Sequence, residues 1–448
     1  MSSTVSPPPD PIAMLRSKSY LALLVLAALI GVPISAAAYF FLALIGVIQT
    51  WIFTTLPEAL GSGAAPIWWP FVPLLVAGVL VALTIRYLPG KGGHSPADGF
   101  AMEGPPTGRQ IPGVVLAAFA TLSLGVVLGP EAPLIALGAG LGALTVRLVK
   151  RDAPPRSQTM MAAAGSFAAI STLLGSPLTG AFLLMEASGL GGATLGLVLV
   201  PGLLAAGIGS LVFIGLDAWT GLGTFSLAIS DIPPAEAPTG AQFPWAILIG
   251  LAAVPVGAGI RWLGVALRPH IERRMLLLMP VVGLAIAGLA VGYAVISGRS
   301  ASEVLFSGQD ALGPFIANVS EYTVGALLLL IVCKGVAYGL ALSSFRGGPT
   351  FPALFIGAVG GAALSHLPGL PMIAGVAMGI GAMSVVMLKL PLTSVLLPTL
   401  ILASDGLTLM PLVIVAVVVA YVVSALFTPP AAMLAPTPVL KPGPSVRS

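Results

Sequence analysis

From Gly347 to Leu388 the chain runs for 42 residues without one Asp, Glu, Lys or Arg. Such a segment must bond its backbone polar groups within itself and keep its side chains away from water, which means helix in apolar surroundings. As one straight helix it would be roughly 63 Å long, about twice the hydrocarbon thickness of a bilayer. Its glycines and prolines must therefore cut it into shorter pieces. Ser19 to Pro57, Ala59 to Ile85, Gln110 to Pro130, Ala132 to Val146, Ser157 to Met185, Ala187 to Leu216, Thr239 to Ile260 and Met275 to Gly298 are also free of charge, within a chain that is 57% hydrophobic and 8% charged. A soluble domain carries about 25% charged residues. The expected class is an all-α integral membrane protein, multi-pass, in the cell membrane, with the lipid bilayer as its main solvent.

Arg16 and Lys18 precede the first apolar run, and Ala36-Ala37-Ala38 could pass for a signal-peptidase site. Hydrophobicity does not fall after it, because Tyr39-Phe40-Phe41-Leu42 follows at once, so a first transmembrane helix is expected. Basic residues gather at Arg147, Lys150, Arg151 and Arg156 and again at Arg268, Arg273 and Arg274. With Arg16 and Lys18 these mark the expected cytoplasmic side. A single cysteine, Cys333, excludes an internal disulfide framework. The net charge of +4 is too small to suggest nucleic acid.

The two halves carry similar punctuation. Gly129-Pro130-Glu131-Ala132-Pro133-Leu134 is followed by Ser176-Pro177-Leu178-Thr179. Gly348-Pro349-Thr350-Phe351-Pro352-Ala353-Leu354 is followed by Leu390-Pro391-Leu392-Thr393. Paired Gly/Pro interruptions of apolar segments point to a transporter site at a repeat interface. The expected organisation is a cytoplasmic tail (1–18), a first membrane repeat (19–216), a connecting segment (217–238), a second repeat (239–430) and a flexible tail (431–448).

A helix start presents unpaired N–H groups and a partial positive charge, so several starts aimed at one point can hold an anion without a full cation. A fixed cation would hold it too tightly for release. Three stretches have the required form: Gly90 to Gly99, Gly129 to Pro133 and Arg346 to Pro352. Glycine lets backbone approach an ion, and proline suits a first helical turn.

In this order and spacing the motifs resemble those of the CLC family of chloride channels and chloride/proton antiporters. Gly92-Gly93-His94-Ser95-Pro96 loosely matches the family's G-S-G-x-P. Gly129 to Pro133 matches G-R/K-E-G-P, with its glutamate in place. Gly175 to Gly180 matches N-A-P-L-A-G. Gly348 to Pro352 matches G-x-F-x-P, with Thr350 where phenylalanine is usual. Lys389 to Ser394 matches R-x-P-L-T-G. The resemblance spans residues 20 to 430. It implies a CLC-like inverted repeat of tilted and broken helices, and a homodimer with one pore per subunit. It also implies transport of chloride or a similar small anion, with protons as a second ion in the antiporter form. No cofactor is expected beyond chloride as the transported ion.

The same match assigns candidate residues. Glu131 is the gate, an anionic side chain able to occupy the outer anion site; the plainer reading is a carboxylate favoured at a helix start. Gly92, Gly93, His94, Ser95, Pro130, Ala132, Pro349, Thr350 and Phe351 are the anion-binding candidates. Arg346 would attract anions, or bind lipid phosphate at the interface. Glu186 is a candidate proton site, against a water-facing helix end. Lys334 and Lys389 are expected to be structurally paired or to snorkel.

The family's central serine aligns with Gly93, its inner proton glutamate with Ala187, and its C-terminal tyrosine has no clear match near Phe427-Thr428. These departures favour a chloride channel of the voltage-gated type, with a chloride/proton antiporter as the alternative and fluoride-selective transport behind it. An intramembrane enzyme would need a paired catalytic constellation, and neither G-x-G-D nor H-E-x-x-H occurs.

Overall fold

A computed structural model describes residues 16–61, 65–99, 104–149, 154–189, 192–229, 235 and 237–427. The C-terminal tail, most of the N-terminal tail and part of the connecting segment lie outside these residues, as do Lys150, Arg151 and Thr428.

The first half contains α1 (Lys18–Thr50), α2 (Phe71–Tyr87), α3 (Ile111–Ser123), α4 (Glu131–Val149), α5 (Pro155–Ala169), α6 (Pro177–Ser188) and α7 (Gly192–Thr220). The second contains α8 (Phe243–Arg273), α9 (Met275–Ser297), α10 (Gln309–Ala317), α11 (Val324–Ser344), α12 (Thr350–Leu364), α13 (Met372–Leu388), α14 (Pro391–Ile401) and α15 (Ala403–Leu426). Among the described residues, seven helical stretches are long and apolar enough to cross a membrane. Others are too short: α12 has 15 residues, or about 22 Å, so it begins or ends inside the apolar layer. The 42-residue uncharged run is cut as expected, at 365–371, where Pro368, Gly369 (φ 90°) and Pro371 turn the chain between α12 and α13.

Packing repeats from one half to the other. Helix α1 packs on α7 and α5, as α8 packs on α15 and α13. The pairs α2/α3, α4/α5 and α6/α7 have counterparts in α9/α11, α12/α13 and α14/α15. Across the halves, each of α2 and α6 packs on its own counterpart, α9 and α14. This is an inverted repeat of broken helices.

Small residues set the closest crossings. A Cβ on Gly138 or Gly142 of α4 would strike the carbonyls of Gly165 and Met161 on α5. A Cβ on Gly357 or Gly361 of α12 would strike the carbonyls of Gly379 and Gly375 on α13. Within lipid, where burial of apolar surface gives helices little reason to associate, such backbone contact supplies the packing attraction.

Charge separates the two ends. The residues after α2 join the α8 terminus through an Arg268–Asp98 ion pair, and Arg346 Nε donates to the Lys91 carbonyl at 3.3 Å. Tyr20 near the start of α1 packs with Met160 and Leu197. The positive-inside rule turns this basic end to the cytoplasm. Between the ends, large apolar side chains face outward, among them Leu29, Leu211, Leu277 and Val332, as a lipid-facing surface requires.

The glycine crossings carry a prediction. Gly357→Leu forces α12 off α13, at a cost of about 1–3 kcal/mol or more for overpacking. Gly360→Ala, on the same helix with nothing within 4 Å of the added carbon, leaves stability nearly unchanged. Thermal unfolding in detergent is the check: a lower midpoint is expected for Gly357→Leu alone.

Candidate functional site

The two Gly/Pro interruptions meet. Gly129 N–H donates to the Gly348 carbonyl at 2.8 Å and Gly348 N–H returns a bond to Gly129 at 2.7 Å, the isolated antiparallel bridge of the described residues. Each glycine precedes a proline and then a helix start, so the bridge aligns the beginnings of α4 and α12. Glu131, first residue of α4, is fully buried between them. Its Oε1 accepts the Thr350 N–H, at the start of α12, at 2.5 Å. Its Oε2 has no hydrogen-bond partner among the described residues. The carboxylate thus sits where two helix starts converge, the place their N–H groups make favourable for an anion.

Glycine is required on both sides. A Cβ on Gly348 would occupy the space of the Glu131 carboxylate, and one on Gly129 would strike the same carboxylate and the Phe351 ring. Tyr338 of α11, fully buried, donates its hydroxyl to the Pro349 carbonyl at 2.6 Å. That bond holds the residue just before Thr350.

Two cavities reach the segment that carries Glu131. The first, about 330 Å³, lies at the basic end and is lined by Lys91, Gly93, His94, Pro96, Ala132 and Pro349, among others. The second, about 380 Å³, is lined by Gln49, Leu128, Pro130, Ser226, Ser307 and Asp310, among others. Ala132 lines the first and Pro130 the second, so the two chain neighbours of Glu131 border different cavities, while the buried carboxylate itself lines neither.

The expected site residues are gathered unevenly. Gly93, His94, Ala132 and Pro349 share the first cavity, and Pro130 borders the second. Thr350 and Phe351, both buried, line neither; Thr350 instead holds the carboxylate. Gly92 packs behind the cavity, where a Cβ would meet Ala117, Arg346 and Ile85. Ser95 is buried ahead of a single 3₁₀ turn, Pro96–Asp98. The expectation of a helix start in Gly90–Gly99 is corrected there. Gly90, Lys91, Gly92, Gly93 and Gly99 all have positive φ, and the described residues of this stretch form only that short turn. Two helix starts converge on the site, not three.

Gly347 lines the first cavity, while its neighbour Arg346 does not. Its guanidinium bonds the carbonyls of Lys91 and Phe345, at 3.3 and 3.1 Å, so its charge stays available to an approaching anion. Glu186 is placed elsewhere. Oε1 accepts from Leu392 N–H at 2.9 Å, and Oε2 from Thr393 N–H and Oγ1 at 2.8 and 2.7 Å. It caps α14, and it is not among the residues lining either cavity. Lys389 donates to Ser424 Oγ at 2.7 Å.

Sequence reasoning missed Tyr338. A tyrosine on an otherwise apolar helix needs a partner for its hydroxyl, which was a usable signal, although nothing in the chain named the partner.

Comparison with known proteins agrees with this architecture. The family model described as "Voltage gated chloride channel" matches residues 85–425. The chain is 30% identical over 369 residues to "Putative ion-transport protein YfeO" of Escherichia fergusonii, covering 80% of this chain and 82% of that protein. A protein of the same name from Escherichia coli is 30% identical over 368 residues, with the same coverage. Among solved structures, a slow cyanobacterial Cl⁻/H⁺ antiporter superposes with a TM-score of 0.70 at 20% identity, covering 90% of this chain and 94% of that one. A CLC-type fluoride/proton antiporter gives 0.66 at 22% identity, covering 90% and 95%. At those identities the superpositions speak for the fold. The family match, over well more than half of the chain, identifies it as a multi-pass membrane protein of the voltage gated chloride channel (CLC) family, a family of anion transport proteins.

Proposed function

We propose that this chain passes chloride or a similar small anion between the two cavities, with the Glu131 carboxylate as the gate. The observation that carries the reading is the place of that carboxylate: buried on the Thr350 amide at the meeting of two helix starts, with its chain neighbours Pro130 and Ala132 bordering different cavities. It occupies ground built for an anion. Protonation removes its charge and weakens its hold on the helix starts. The side chain can then swing away, and a permeating anion takes its place. Arg346 and Lys91 raise the local anion concentration at the basic mouth, and the Gly93–His94 backbone and the Pro349 turn line the way inward.

Channel-type conduction with weak or no fixed proton coupling is the form these residues favour. Proton exchange at a set ratio needs a titratable group between the cytoplasmic face and Glu131. The family's inner acid position is Ala187, buried and apolar. The neighbouring Glu186 spends its carboxylate on three donors of α14. Chloride/proton exchange is the second reading, favoured by how completely the gate is buried, since an occluded carboxylate suits a cycle that never opens to both sides together.

Assembly as a homodimer belongs to the same proposal. Leu178 and Leu392 occupy matching positions at the starts of α6 and α14 and are 53% and 43% exposed. They form part of an apolar face that a second copy would cover. Mass measurement in detergent is expected to give a two-subunit particle; a fully active particle of one subunit contradicts it.

The functional test uses liposomes carrying a chloride gradient, with anion flux and external pH recorded together. Wild-type flux is expected to rise as pH falls. Glu131→Gln, neutral at every pH, is expected to carry flux that hardly varies with pH. A pH profile unchanged by that substitution removes Glu131 as the gate. Uphill proton movement at a fixed ratio to chloride replaces the channel reading with the exchanger.

A further inference from the structure

We infer that Lys334 is a positioning residue for the gate: its ammonium acts as a built-in monovalent cation that gathers four backbone carbonyls and, through them, holds the turn leading to Glu131. The inference rests on the gate proposed above.

Lys334 lies within α11 and is fully buried. Nζ sits 3.0 Å from the Glu303 carbonyl, 3.1 Å from Val304, 3.0 Å from Leu305 and 3.2 Å from Phe306. An ammonium has three N–H donors, so four carbonyls at nearly equal distance are held as much by ion–dipole attraction as by paired bonds. The Phe355 ring closes another side at 4.7 Å, in cation–π range. The nearby carboxylate of Glu303 is engaged otherwise: Oε2 accepts from Tyr293, and Oε1 from Tyr322 and Arg299. The cation is therefore met by carbonyl dipoles and a ring face. Four carbonyls pointed at one spot repel each other, and the cation at their centre makes that loop shape stable.

The loop reaches both arms of the gate. Phe306 adopts φ 57°, unusual for a side chain of that size, and its N–H donates to the Gly125 carbonyl at 3.0 Å. Gly125 begins the 125–130 turn that ends at Glu131. The Phe306 ring packs edge-on against Phe53 at 4.9 Å, and Phe53 also borders Gly125. On the other arm, Phe355 belongs to α12, the helix whose first N–H holds the carboxylate, and Gly308 packs directly against it. Lys334 thus ties the α4 start through the loop and the α12 start through the ring.

A buried anchor of purely structural value would lower stability without touching the gate, and the test separates the two roles. The pH dependence of anion flux is measured for Lys334→Met, Glu131→Gln and the double variant, with hydrogen exchange at residues 125–131 recorded on the same samples. Lys334→Met is expected to shift the pH midpoint by at least half a unit, roughly threefold in proton affinity, and the shift should vanish in the Glu131→Gln background. Exchange in the 125–131 turn should quicken by about tenfold in Lys334→Met, whether or not Glu131 proves to be the gate. An unchanged pH profile with unchanged exchange overturns the inference, as does an equal loss of flux in both backgrounds. Should Lys334→Met not fold, Lys334→Arg keeps the charge but spreads it over a planar fork that cannot centre on the four carbonyls. The same midpoint shift is then expected, and a wild-type profile overturns the inference.

Discussion

The structure depends on one paired contact: Gly129 and Gly348 exchange backbone hydrogen bonds at the centre of the molecule. That bridge brings together two helix starts that would otherwise lie far apart in the chain. It leaves a space too narrow for any Cβ, into which the Glu131 carboxylate fits. Two electropositive helix ends facing each other would be costly in an apolar layer, and an anion between them relieves that cost. Here the anion is a side chain. The same geometry can therefore be closed by the protein's own carboxylate or opened to a permeating ion, since both compete for one place.

Around this centre the inverted repeat supplies rigidity. The α4/α5 and α12/α13 crossings rest on glycines at matching distances from Pro133 and Pro352, so each half fixes its own helix start by backbone contact. Charged groups in the apolar body also serve the frame. Lys334 organises carbonyls, Glu186 caps α14, and Lys389 reaches Ser424. In lipid an ionisable group must have such company, and each here finds backbone dipoles or hydroxyls before it finds an opposite charge.

Much of this was legible in the chain. The uncharged runs required membrane helices, and the matching Gly/Pro punctuation pointed to a repeat and to Glu131. The Gly138/Gly142 and Gly357/Gly361 pairs were equally visible, lying five and nine residues beyond Pro133 and Pro352. What stayed hidden depends on contacts between distant segments. Nothing local says that Gly129 faces Gly348, or that Glu186 reaches across to Thr393, or that residues 303–306 wrap the Lys334 ammonium. The Gly90–Gly99 stretch misled in the opposite direction: its proline and glycines suit a helix start, yet the described residues there take up positive-φ conformations and a single 3₁₀ turn.

The central claim is that Glu131 occupies an anion site, and crystals soaked in bromide test it most directly through anomalous scattering. The account predicts a bromide peak within hydrogen-bond distance of Thr350 N–H in Glu131→Gln, in the space the wild-type carboxylate fills, and no peak there in the wild type at neutral pH. A bromide in that place with the wild-type carboxylate still bound to Thr350, or none there in Glu131→Gln at saturating bromide, would contradict it.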